Sequence, residues 1–212
     1  CGYNEFYVMN RIKCIVSYDG SKFHGFQVQN QFRTVQGEIQ KAIKNICKDE
    51  SIVIHASGRT DAKVHGRRQV FHFDTLREMP EKQWKRAINH FLPNDIYIID
   101  SFLVDENFHS RYSATKKEYH YMLSMNDYSP FETNYIYQYG KELDIEAMRN
   151  AAKIFIGEHD FASFCAVDQY GNTIRTLYQI EIENNLHIRF ILFALSISNC
   201  LFAIVAFSGF KK

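Results

Sequence analysis

The chain has 212 residues, 46% hydrophobic and 23% charged, which is ordinary for a folded globular protein with one substantial core or two small ones. Only 3 Pro and 10 Gly exclude long disordered linkers, and a formal net charge of +1 excludes a polycation, so any nucleic-acid contact must come from a local patch. Cys1, Cys14, Cys47, Cys165 and Cys200 are odd in number and show no C-x-x-C spacing. This fits free thiols in a reducing, cytoplasmic setting and gives no zinc signal. No secretory signal precedes Arg11.

Arg11 to Tyr18 alternates, with Ile12, Cys14, Val16 and Tyr18 on one face, and predicts a strand. Thr34 is placed to cap a helix to Lys48 whose stripe is Val35, Ile39, Ala42, Ile43 and Ile46. Two strand-like runs follow, Ser51 to Ala56 and Arg68 to Asp74. Pro80 opens a second helix with Trp84, Ala87, Ile88, Phe91 and Leu92 inside, and Pro93 stops it. Ile96 to Val104 is again a strand. The order β-α-β-β-α-β predicts a split βαβ, ferredoxin-like half over residues 10–104, with both helices on one face of an antiparallel sheet. A similar pattern restarts over 105–185. Tyr119, Tyr121, Leu123 and Met125 share one side of a strand, and Asp144 caps a helix with Ile145, Met148, Ala152, Phe155 and Ile156 inside. Gly157 is the expected C′ residue, and Tyr178 to Glu183 is strand-like.

Three clusters carry polar and aromatic groups together. The first is Tyr18-Asp19-Gly20 through Phe26-Gln27, a strand running into a glycine-containing loop. The second, Ser57 to His65, sets Asp61 beside Arg59 on a loop between two strands, where a sheet can fix a reactive group. Out of context, the commoner meaning of those residues is a turn capped by Asp61 with Arg59 paired to it at the surface. The third runs from Phe108 to Tyr121 and mixes Arg111, Lys116 and Lys117 with hydroxyls and tyrosines. Cations interleaved with aromatics suit unstacked bases, the cations meeting phosphates and the rings stacking on bases. By burial habit alone, half-buried sheet residues are the commoner reading of Tyr119 and Tyr121, ahead of base stackers.

Together these clusters resemble the motifs of the tRNA pseudouridine synthase A (TruA) family. The matching pieces are Tyr18-Asp19-Gly20 to Phe26-Gln27, Gly58-Arg59-Thr60-Asp61-Ala62, Val64-His65, Gln69-Val70 with Phe73-Asp74-Thr75, Phe108-His109 with Arg111 and Ser113-Ala114, and Gly157-Glu158-His159-Asp160-Phe161 with Ser163-Phe164. The resemblance spans about residues 10 to 183. It implies an α+β fold of two ferredoxin-like halves sharing an antiparallel sheet with a central RNA-binding cleft. It also implies a homodimer and no metal or organic cofactor. The implied reaction is isomerisation of uridine to pseudouridine in the tRNA anticodon stem-loop, at positions 38 to 40. By motif, Asp61 is the catalytic aspartate, Arg59 assists base extrusion and pairs with Asp61, and Tyr119 stacks on the flipped uracil.

Two departures from the family pattern bear on this expectation. Lys63 stands where family members usually have Gly, which is strained if the position needs positive φ. After about Asn184 the family's apolar-Met-Val-Arg segment and remaining strands are not found, and Arg189 does not stand in its context. Residues 186–212 are therefore expected to form an atypical apolar tail on an incomplete second half, leaving a family member that binds RNA without catalysis as the alternative. Phe190 to Phe207 is apolar except for Ser196, Ser198 and Asn199 and is followed by Lys211-Lys212. A membrane anchor is the less favoured reading of this run, because its polar residues sit together near the middle.

Overall fold

The computed structural model describes residues 9–164, 173–183 and 187–193. The chain divides after Ala114 into two compact units. The first contains β1 (Asn10–Tyr18), α1 (Val35–Cys47), β2 (His55–Ala56), β3 (Gly66–Thr75), α2 (Glu81–Phe91) and β4 (Ile96–Val104). Its sheet has the order β2-β3-β1-β4, and every neighbouring pair is antiparallel. The alternation in β1 does what its period dictates: Ile12, Cys14, Val16 and Tyr18 are buried, and they pack with Phe71, Phe73, Ile96 and Ile98 of the neighbouring strands. The predicted stripe of α1 is buried residue for residue, and Thr34 Oγ1 accepts from Gly37 N at 3.3 Å. Trp84 of α2 is fully buried, edge-on to Phe73 with ring centroids 5.3 Å apart.

Some local expectations shift. Pro80 is the N-cap of α2 rather than its first helical residue. Phe91, expected inside, is 51% exposed, because the helix ends on it and the extended Leu92 takes the inward place. β2 keeps only two ladder residues of the predicted six, yet Ile52 and Ile54 are buried and Val53 is exposed, so the alternation survives without the pairing. The sheet face away from the helices is covered in part by the loop after β4. Arg11 holds Asp74 with two hydrogen bonds of 2.7 Å and donates to the carbonyls of Glu106 and Phe108. His72 Nδ1 accepts from Ser110 N at 3.2 Å. Burial, assisted by the Arg11 charge, pushes the His72 imidazole down to about 4, so the ring is neutral where it meets His55 and His109.

The second unit contains β5 (Lys116–Ser124), β6 (Tyr137–Gln138), α3 (Ile145–Ile154), β7 (Gly157–Asp160), β8 (Ile174–Ile182) and β9 (His187–Phe193). Its sheet runs β6-β5-β9-β8-β7, antiparallel except for the two-residue β5–β6 contact. Leu123, Leu143, Met148, Ala152, Phe161, Leu177 and Ile182 form its core, with Tyr119, Tyr121 and Met125 packed against it. Asp144 caps α3 as expected, accepting from Ala147 N at 2.9 Å, but Ile156 is 44% exposed and Gly157, at φ +112°, starts β7. The expectation that no strand follows Asn184 is corrected, because β9 lies between β5 and β8. β9 pairs antiparallel with both β5 and β8, so the strand order of the first unit is not repeated. Of the apolar run considered as an anchor, Phe190 to Phe193 end β9 and the remainder lies outside the described residues. Among the described residues, no helix is long and apolar enough to cross a membrane.

Candidate active site

The first two sequence clusters form one structure. β1 ends at Tyr18 and runs into a short 3-10 turn, Gly20–Lys22, capped by Asp19, whose Oδ1 accepts from Ser21 N at 2.9 Å. The following loop is pinned by Arg33, which makes two hydrogen bonds to Asp95 at 2.7 and 2.9 Å, a third to Glu38 at 2.8 Å, and lies 4.2 Å above the Phe23 ring. Bidentate pairing with a stacked guanidinium fixes geometry more firmly than a single contact. The Asp61 loop then docks on this rigid neighbour through main-chain bonds. Phe26 N donates to Thr60 O at 3.0 Å and Lys63 N donates to Phe23 O at 3.2 Å. Within the loop, Val64 N donates to Asp61 O at 3.2 Å.

Two glycines make that docking possible. A Cβ on Gly20 would stand 2.1 Å from Val64 O, and one on Gly25 would stand 2.8 Å from Thr60 O. Gly25 also adopts φ +90°, a conformation glycine alone takes without strain. His65 closes the far end of the loop: its Nδ1 lies 3.1 Å from both Gly20 N and Asp19 Oδ1. The outcome is an aspartate held by backbone on both sides with its residue exposed to solvent, which is the arrangement a nucleophile needs to meet a large substrate.

Arg59, Lys63, Arg67 and Arg68 are all exposed on or just after this loop, so the acid sits in a local basic patch on a chain that is nearly neutral overall. Arg59 and Asp61 thus share one loop. Tyr119 lies in the second unit, half-buried on β5, where burial pushes its phenol up. The third cluster divides: Phe108 to Ser110 are tied to β1 and β3 through Arg11 and His72, while Tyr112 is 75% exposed with the Arg111 guanidinium 6.0 Å from its ring. Arg189, left without a role by its sequence context, pairs with Glu181 and Glu118 on the strands either side of β9.

Lys63 takes φ +67°, so the family's usual glycine is replaced where the backbone is left-handed. A β-carbon there costs roughly 1–2 kcal/mol. Lys63→Gly is expected to raise stability by about 1 kcal/mol, seen as a melting temperature roughly 2–4 °C higher, while Lys63→Ala gives no such rise. A thermal melt in which both variants match the parent would mean the loop relaxes around the lysine.

The sequence pointed to the loop but not to the groups behind it. Gly66, two residues ahead of the alternating run Arg68 to Asp74, was the available signal, since glycine at a strand marks close approach by a neighbour. Here the neighbour is Tyr18: a Cβ on Gly66 would stand 2.4 Å from the tyrosine ring.

The family model described as tRNA pseudouridine synthase matches residues 14–113 and 151–206. Its first segment includes Arg59 and Asp61, Tyr119 falls between the two, and its second runs past residue 183, where the motif resemblance stops. A Bacillus cereus protein named tRNA pseudouridine synthase A 1 is 46% identical over 188 residues, covering 86% of this chain and 76% of that protein. An Oceanobacillus iheyensis protein named tRNA pseudouridine synthase A is 48% identical over 176 residues, covering 82% and 70%. A Bacillus subtilis protein of the same name is 42% identical over 174 residues, covering 81% and 70%. With two matched segments that take in both the Asp61 loop and β9, this chain belongs to the tRNA pseudouridine synthase family.

Proposed function

We propose that the chain converts uridine to pseudouridine in the anticodon stem-loop of tRNA, with Asp61 as its nucleophile. The observation that carries the proposal is the backbone-clamped loop presenting Asp61 to solvent among Arg59, Lys63, Arg67 and Arg68. A uridine stacked in RNA hides its glycosidic bond, so the base must be extruded, at a cost of a few kcal/mol. Exposed guanidinium and ammonium groups beside the acid suit the phosphates flanking such a base. Arg59 is assigned to holding the extruded nucleotide and Tyr119 to stacking on the uracil. The Asp61 carboxylate attacks the sugar C1′ or the ring C6, the C–N bond breaks, the uracil turns in place, and C5 bonds to C1′. The bond to Asp61 is released, a base takes the C5 proton, and N1 gains one, which restores the aromatic ring and the free carboxylate. Atoms balance without a co-reactant, so the protein need supply only the nucleophile, a base for the C5 proton, the stacking surface and exclusion of water.

The same reading takes the two units as ferredoxin-like halves of a homodimer subunit in the cytoplasm, sharing a sheet with a central cleft. Support for the first half is its strand order, β2-β3-β1-β4, with one helix in each crossover. The test is release of tritium from carbon 5 of labelled uridine in unmodified tRNA by the purified chain and by Asp61→Ala. Release by the parent alone is expected. Equal release by both, or by neither, would remove the proposal.

A further inference from the structure

We infer that the Tyr18 hydroxyl is a positioning residue for the reaction, holding the Asp61 loop from behind through Thr60 and Gln69; the inference rests on Asp61 being the nucleophile. Tyr18 ends β1 and is 5% exposed, so its side chain does not meet substrate. Its hydroxyl donates to Gln69 Oε1 at 2.7 Å and lies 2.9 Å from Thr60 Oγ1. With that proton committed to Gln69, the Thr60 hydroxyl is the donor of the second bond. Gln69 in turn donates from Nε2 to Gly58 O at 2.5 Å. Two residues of the loop, one either side of Arg59, are therefore fastened to a single tyrosine-glutamine pair on adjacent strands.

The site is built for this ring. Tyr18 stands opposite Gly66 in the β1–β3 ladder, at a register irregularity between Val16 and Tyr18. The missing side chain at Gly66 is what lets the ring cross over β3 toward Thr60. A buried hydroxyl with both its proton and its lone pair engaged is costly to leave half-satisfied, so the three side chains select one loop conformation. Because burial pushes the phenol up to about 12, the hydroxyl keeps its proton across the working range and the direction of the bonds does not change with pH.

The experiment compares Tyr18→Phe, Thr60→Val, Thr60→Ser and the double variant Tyr18→Phe with Thr60→Val, all in the full chain, beside Asp61→Asn. Single-turnover rate and affinity are measured with unmodified tRNA, and amide exchange of residues 57–64 is followed without RNA. Tyr18→Phe and Thr60→Val are expected to lower kcat by about 10- to 100-fold with Kd within about twofold, since a displaced nucleophile loses rate and not phosphate contacts. Thr60→Ser is expected to keep the parental rate. The double variant should be no slower than the slower single, because the two share one bond. Amide exchange should quicken within the loop alone. Parental kcat and exchange in Tyr18→Phe and Thr60→Val, with Asp61→Asn inactive, would overturn the inference and leave the nucleophile standing. Loss of rate and affinity together with general loosening of β1 and β3 would also overturn it, as a merely structural role. Turnover by Asp61→Asn at the parental rate would remove the nucleophile, and this inference with it. Should Tyr18→Phe not fold, Thr60→Val against Thr60→Ser decides.

Discussion

Asp61→Asn is expected to lower pseudouridine formation by at least about 10³-fold while tRNA binding survives, the pattern seen when a group acts in the transition state alone. Asparagine has nearly the same shape, and the main-chain bond from Val64 N to Asp61 O does not involve the side chain. The loop should therefore keep its place, with stability changed by no more than about 0.5 kcal/mol, as for other exposed positions. Affinity should hold or tighten slightly, since one negative charge leaves a basic patch that meets phosphates. Single-turnover tritium release and filter binding over a salt series read both quantities. Residual turnover within about tenfold of the parent would show that the carboxylate is not the nucleophile.

Gly20→Ala is the second large effect expected, and it works through space alone. The added methyl would lie 2.1 Å from Val64 O and 2.5 Å from Val64 C, both main-chain atoms that cannot swing aside. The turn after β1 and the loop carrying Asp61 must then separate. That endangers the bonds from Lys63 N to Phe23 O and from Gly20 N to His65 Nδ1. Overpacking of this kind costs typically 1–3 kcal/mol, and a misplacement near 1 Å costs a rate of order 10²-fold. Circular dichroism should show the sheet retained while the melting temperature falls and kcat drops. A variant with parental kcat would mean the two loops need not touch for the chemistry.

Much of the first unit was legible because its elements are amphipathic and locally capped. The α1 stripe, the Thr34 cap and the alternation of β1 each follow from spacing, and all three are seen. Phe91 and Ile156 were misplaced because periodicity does not announce where a helix stops turning a face inward. β7 is four residues long and reads Gly-Glu-His-Asp, with no apolar alternation to find. β9 ends in the continuous apolar run Phe190 to Phe193, and such a run does not distinguish a buried strand from other apolar segments. Within the site, Asp61 and Arg59 were found by motif. The supporting residues Tyr18, Gln69 and His65 were quoted as part of the motifs without roles, since hydrogen bonds between residues about 40 to 50 positions apart leave no local trace.

The place of β9 also sets a schedule for synthesis. Among the described residues, the strands of the first unit are complete once Val104 is made, but β5 pairs on its long side only with β9, where Tyr119 stands opposite Phe190 in the ladder. At about 5–20 residues per second, a ribosome takes roughly 3–14 s to deliver that partner after β5 emerges. Throughout that interval β5 offers an unpaired backbone edge with Tyr119, Tyr121 and Leu123 beside it. The second unit is thus the part of the nascent chain most exposed to wrong partners, and the part for which translation speed and chaperone supply matter most.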